Sequence, residues 1–396
     1  MKSKWFLVLT VGLAVILGLT MAMAGCKTTT TATTAAETAA AVTTAAAATT
    51  AAETTAAETT APAAKPYIAV ICKGFQHQFW QTVKKGDQAA ADKYNVEMTF
   101  DGPPSESDIA IQVDMINAAI AKNPKALCLA ALDTNSVTTQ LTDCKAKGIP
   151  VVGFDSGVPN APAGTIVATA STNNEVAGAL AADSMFADPT FLAALKAATV
   201  DKPVVIGLLS QDATSASIVG RTTGFVNEMA KNGETLFAGQ VAVTGHDKFA
   251  KAATSGKFAV NIDVVIPPSS SATDSQASAQ ALLATKGLIA IFASNEGTVG
   301  GILAATTDGT DLDRTKGKFK SITVIGFDAG KVQKAAVKNG WFLGSITQDP
   351  YMIGYLSLEL ATKAINGEKV ADTDTGCKFY NAANMGQADI AQLLYD

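Results

Sequence analysis

Chemistry-bearing residues are scarce in this chain of 396 residues. It has only two histidines and five scattered cysteines, too few for a zinc module or a disulfide-stapled fold. No GxSxG elbow, Walker loop, HExxH helix or dinucleotide fingerprint occurs. No carboxylate spacing designates an acid/base pair either, so an enzyme is not expected, and no cofactor or metal is called for. Charged residues make up 16% of the chain, with Lys+Arg 30 against Asp+Glu 35 and a net charge of −5. A nucleic-acid binder working through bulk electrostatics needs a basic stripe, and this balance excludes one. Aromatic residues are 6% of the total, so each one in a suggestive place is informative.

What the chain does contain is apolar material, 48% of residues, in a length suited to two domains. Residues 1–25 read as an export signal. Lys2 and Lys4 form a basic start, an apolar run follows from Trp5 to about Ala24, and small residues lead into Cys26. The run is also long enough for a retained transmembrane anchor. The ending Met23-Ala24-Gly25-Cys26 resembles a bacterial lipobox, which implies acylation of Cys26 and a lipid-anchored, extracytoplasmic protein. Residues 26–65 are almost entirely Thr and Ala, with little to bury, and read as a tether of about 35 Å r.m.s. span.

Beyond Lys65 short apolar runs alternate with amphipathic helical stretches. Runs such as Tyr67–Cys72, Ala126–Leu132, Val204–Leu209 and Ile322–Phe327 are apolar on both faces, as in parallel strands covered on both sides. Ile109, Val113, Ile116 and Ile120 mark one helix face. Ten such strand runs exceed one small sheet. The predicted fold class is therefore α/β, with two doubly wound parallel-sheet lobes of about five strands each.

In such sheets ligands bind beyond the carboxyl ends of the strands. Those ends here carry His77-Gln78-Phe79-Trp80, Asp155, Asn173, Asn295, Asp328 and Gln348. Amides and carboxylates beside an aromatic pair suit a neutral hydroxylated ligand. At these residues the sequence resembles the type I periplasmic binding proteins of the ribose/galactose-binding group, the sugar receptors of ABC importers. His77-Gln78-Phe79-Trp80 stands where the family commonly has Asn-Pro-Phe-Phe. Gly153-Phe154-Asp155-Ser156 matches a segment usually ending in Asp-Arg, and Thr172-Asn173-Asn174 matches a crossover segment. The stretch Thr214 to Phe225 resembles the one whose arginine, here Arg221, reaches sugar hydroxyls. Asn295-Glu296 and Gly326-Phe327-Asp328 match further motifs, and Gln348 sits at the position of a ligand glutamine.

The resemblance implies a ligand set of His77, Phe79, Trp80, Asp155, Asn173, Arg221, Asn295, Asp328 and Gln348. It implies a carbohydrate or polyol ligand, an ABC permease and ATPase as partners, a monomer, and a hinge of three strands. The first lobe would take residues 66–172 and 296–346, and the second 173–295 and 347–396. Crossings would fall near Ala170–Asn173, Ser294–Asn295 and Thr347–Gln348. Two departures stand out: Ser156 replaces the usual arginine, and Pro267–Ser271 lacks a capping aromatic.

Each candidate also has a plainer role. Phe79 and Trp80 could open a helix into the core, although adjacent positions do not share one helical face. Asp155 and Asp328 could be N-caps, His77 a loop residue and Arg221 a surface residue. Cys72 and Cys128 read as buried thiols. A sensing subunit that presents the same ligand to a membrane kinase or chemoreceptor would use the same cleft. A transcriptional regulator of this fold would need a helix-turn-helix, which is missing.

Overall fold

A computed structural model describes residues 64–396. The expected export signal, Cys26 and all but the last two residues of the expected Thr/Ala tether lie outside the described residues. The chain first builds β1 (Tyr67–Ile71), α1 (Gln78–Tyr94), β2 (Glu97–Asp101), α2 (Ile109–Ala121), β3 (Ala126–Leu129), α3 (Thr138–Ala146), β4 (Val151–Phe154) and β5 (Ile166–Ser171). Next come α4 (Asn174–Phe186), α5 (Pro189–Lys196), β6 (Val204–Leu209), α6 (Ala216–Glu234), β7 (Val241–Thr244), β8 (Val260–Val265), α7 (Ala272–Leu283) and β9 (Leu288–Ala293). The series continues through α8 (Glu296–Ala305), β10 (Thr323–Phe327), α9 (Lys331–Lys338) and β11 (Gly344–Thr347). It closes with α10 (Pro350–Ile365), β12 (Thr373–Asp374), β13 (Lys378–Tyr380) and α11 (Ala388–Ala391).

These strands form two sheets. One is six-stranded, in the order β12-β5-β4-β3-β1-β2, and the other seven-stranded, in the order β13-β11-β10-β9-β6-β8-β7. Pairing is parallel except between β11 and β13. Every residue of β3, β4, β6, β10 and β11 is buried, as expected of central strands covered by helices on both faces. The doubly wound two-lobe class is therefore the observed one. In the second lobe Phe225 of α6 stacks on Phe292 of β9, with ring centroids 4.6 Å apart.

The division of the chain between the lobes needs correction. Residues 296–346, expected in the first lobe, belong to the second, because β10 pairs with β9 (Val324↔Ile291) and β11 with β10 (Gly326↔Ser345). The chain does not cross at Ser294–Asn295, where the Ser294 amide bonds to Leu209 of the same sheet. Residues 347–396, expected in the second lobe, are split. Helix α10 packs on α1 and β12 pairs with β5 (Thr373↔Ala170), both in the first lobe, before β13 returns to the second. The third crossing thus falls between β12 and β13. A βα unit has the same apolar pattern in either lobe, and only the non-local pairing of β10 with β9 decides its sheet.

The four cysteines of the described residues are free. Cys72 and Cys128 lie on or beside neighbouring strands, but burial pushes both thiols up and neither pairs.

Candidate functional site

The strand ends of both sheets face each other across one cleft. A small cavity there is lined by Lys73, His77, Phe79, Trp80, Glu106, Asp155, Ile218, Arg221, Asn295, Asp328 and Gln348. Of the residues expected from the sequence, Asn173 alone lies elsewhere. Its side chain accepts the Val176 amide at 3.2 Å and caps α4 at the edge of a wider neighbouring groove, so a ligand role is withdrawn.

Asp155 and Asp328 hold corresponding positions in the two lobes. Each follows the last residue of a strand and turns into the left-handed region, with φ of 50° and 81°. Their amides still bond the neighbouring strand, to Ala170 at 3.0 Å and Ile346 at 2.7 Å. Aspartate tolerates this conformation better than most residues, and strain of this kind gathers at functional sites. The turn aims both carboxylates into the cleft. Asp328 accepts from Gln348 Nε2 at 2.9 Å and from the Glu296 amide at 3.0 Å. Asp155 accepts no hydrogen bond among the described residues, and its nearest cation, Lys73 Nζ, is 4.0 Å away. Burial pushes the Asp155 carboxyl up to about 6, outweighing the pull of Lys73 and Arg221.

Arg221 is positioned by glycine. A Cβ on Gly178 of α4 would collide with the Arg221 carbonyl oxygen, so α4 and α6 touch backbone to backbone here. The buried guanidinium donates from Nε to Asn174 at 2.8 Å and from Nη1 to the Ser294 carbonyl at 3.0 Å, and its plane lies 3.8 Å from the centre of the Phe327 ring. Its Nη2 has no partner among the described residues.

Two charged residues that strand-end reasoning did not select hold the first-lobe wall. Glu106 is buried and accepts from Trp80 Nε1 at 2.8 Å, from Gln211 Nε2 of the second lobe at 2.9 Å, and from Lys73 at 3.4 Å. Burial alone would raise its carboxyl, but Lys73, His77 and these donors hold it down at about 2. Burial would lower the Lys73 ammonium, yet Glu106 and Asp155 beside it keep it above its ordinary value. Lys73 stands in the segment after β1 that the strand-end rule already reaches, and Glu106 lies five residues beyond β2; nothing local in the sequence marks either as buried.

Trp80 is 1% exposed, packed edge to face against Phe79 at 5.0 Å and Phe154 at 6.2 Å. It is a core residue as well as a cavity wall. His77 Nε2 is buried without a hydrogen-bond partner, 3.6 Å from Glu106. Asn295 caps α8 through Thr298 and donates to Gln211, and Gln348 Oε1 is buried and unpaired.

The cleft is closed. Ser107 and Ser270 meet across it at 2.9 Å, the Thr214 hydroxyl donates to the Leu132 carbonyl at 3.0 Å, and the Ser217 amide to Ser156 at 3.3 Å. Ser156, in place of an arginine, thus serves to join the lobes.

Comparison with known proteins agrees with this geometry. The solved structure named "ABC transporter, LacI family transcriptional regulator" from Brachyspira murdochii is 37% identical, with a TM-score of 0.69, over 84% of this chain and 99% of that one. An ABC transporter solute-binding protein from Agrobacterium vitis, solved with bound D-fucose, is 26% identical with a TM-score of 0.67, over 83% and 100%. The ribose import binding protein of Haemophilus influenzae is 26% identical over 309 residues, 78% of this chain and 88% of its own. The profile of the periplasmic binding protein domain matches residues 68–369. The chain therefore belongs to the periplasmic binding proteins, extracytoplasmic solute-binding proteins of the type I fold rather than enzymes.

Proposed function

We propose that this chain encloses one sugar or sugar-like polyol between its lobes and delivers it to an ABC permease and its ATPase. The observation that carries the reading is the set of polar atoms facing the cavity without a protein hydrogen bond: His77 Nε2 and Gln348 Oε1, both buried, beside the Asp155 carboxylate, which meets Lys73 only at 4.0 Å, and Arg221 Nη2. Each buried group left unpaired costs about 1–3 kcal/mol. Hydroxyls both donate and accept, so a polyol satisfies the carboxylate, the amide oxygen and the guanidinium together. Lys73 and Arg221 are offset by Glu106, Asp155 and Asp328, which favours a neutral ligand over a sugar phosphate or uronate. Phe79 and Trp80 supply the apolar wall, His77 a further donor or acceptor, and Asn295 orients Gln211. The relatives named for ribose import and solved with D-fucose support a monosaccharide.

A thermal-shift screen over D-ribose, D-fucose, other pentoses and hexoses, polyols and cyclitols tests the reading. Ligand held only by the folded state raises stability by about 2.7 kcal/mol at a hundredfold excess over Kd. Absence of any shift across the panel would sink it. The same reading makes the protein a monomer anchored through acylated Cys26, with the Thr/Ala stretch as spacer. A Cys26→Ser variant is then expected to leave the membrane fraction or remain unprocessed.

A further inference from the structure

Helix α1 carries three cavity residues at its start, His77, Phe79 and Trp80, yet it has no cap of its own. His77 occupies the N-cap position without a side-chain hydrogen bond, and the first turn contains no acidic residue. An uncapped helix start leaves amides unsatisfied and its positive dipole end uncompensated. Both are supplied from the other lobe. Glu296, at the start of α8, accepts the Gln78 amide on Oε1 at 3.3 Å and the Phe79 amide on Oε2 at 3.4 Å. Gln78 Oε1 in turn accepts the Lys331 amide at the start of α9, at 2.8 Å. Gly330 leaves the room, since a Cβ there would lie 2.6 Å from Glu296 Oε1. The Glu296 amide itself donates to Asp328, which holds Gln348. One continuous network thus runs from the second-lobe cavity residues to the helix that builds the first-lobe wall.

We propose that Glu296 is the closure latch: it caps α1 in trans, so the helix start that carries His77, Phe79 and Trp80 is capped only when the lobes meet. Glu296 lines no part of the cavity and acts as a positioning residue. The proposal rests on the functional reading above only in treating the cleft as one that opens.

Hydrogen exchange on the full chain in detergent, saturated with a sugar that stabilises it in the thermal-shift panel, reads the latch in the closed form. In Glu296→Ala, and more weakly in Glu296→Gln, the amides of residues 78–82 are expected to exchange faster while those of β9 and β10 keep their protection. Unchanged exchange at residues 78–82 in the sugar-bound variants overturns the proposal and leaves the sugar-binding reading intact. So does loss of protection throughout the second lobe, which would make Glu296 a general structural residue. With the sugars that stabilise the protein in the thermal-shift panel, dissociation is expected to quicken by about fivefold, the size of a typical cap loss. The factor should be the same for each sugar. An effect confined to one sugar would make Glu296 a ligand contact and overturn the latch, leaving the sugar-binding reading intact.

Discussion

Asp155 concentrates the chemistry of the cleft in one side chain. It is 3% exposed, turned out of its strand at positive φ and without a hydrogen bond, and burial pushes its carboxyl up to about 6 from the ordinary 3.8. A ligand hydroxyl that donates to it is held more strongly by the ionised form. Sugar affinity is therefore expected to hold above pH 7 and to fall as pH drops through 6, by at most about tenfold per unit. Titration calorimetry between pH 5 and 8 checks this, and Asp155→Asn should bind weakly with a flat profile. A flat wild-type profile would remove Asp155 from the ligand contacts. The stability of the closed arrangement runs the other way. For an acid whose folded pKa is raised, the contribution is full below its unfolded pKa and is lost as pH rises through about 6. Glu106 does not obscure that window. Its stabilisation is present above its unfolded pKa of 4.5 and is lost as pH falls through about 2.

Between elements, glycine decides how closely helices approach. Gly178 of α4 faces the Arg221 carbonyl of α6, and Gly224 of α6 faces the Glu175 carbonyl of α4. Gly178→Ala is expected to cost about 1–3 kcal/mol through overpacking. It should also weaken sugar binding, because α6 must shift with Arg221. Gly300 in α8 is the control: a Cβ there meets nothing within 4 Å, so Gly300→Ala should be neutral or stabilise by up to about 1 kcal/mol. Denaturant unfolding of the two variants gives the comparison, and equal effects would refute the packing account. The repeated strand, polar end and helix of this fold were legible in the sequence because a buried parallel strand is a short apolar run. Strands β12 and β13 were not legible. They are two and three residues long and exist only as partners of β5 and β11.

For the whole molecule, closure is the property that matters. Cavity residues come from both sheets, so a polyol finds all its partners only when the lobes meet, and differential affinity shifts the population. About 5.5 kcal/mol takes a receptor from mostly open to mostly closed. That is within reach of a few charge-assisted hydrogen bonds at about 1.5–3 kcal/mol each. Small-angle scattering with saturating sugar is expected to give a smaller radius of gyration than the ligand-free protein gives. Identical curves would reject ligand-driven closure.

The amino-acid order by itself determined the α/β class and the placing of polar residues just past strand ends, because apolar periodicity and turn chemistry are local. Strand-end position marked His77, Phe79, Trp80, Asp155, Asn295, Asp328 and Gln348, and the family resemblance added Arg221; the fold gathers these eight at one cavity. Tertiary structure decided which sheet each βα unit joins, since β9 and β10 pair through backbone groups that no side-chain pattern labels. It likewise decided that Asn173 caps a helix, and that Lys73 and Glu106, ordinary loop charges in the sequence, are buried together. A charge survives burial only where partners converge on it. For Glu106 those partners are Lys73 and Trp80 from the β1–α1 segment and Gln211 from the other lobe, brought together by folding alone.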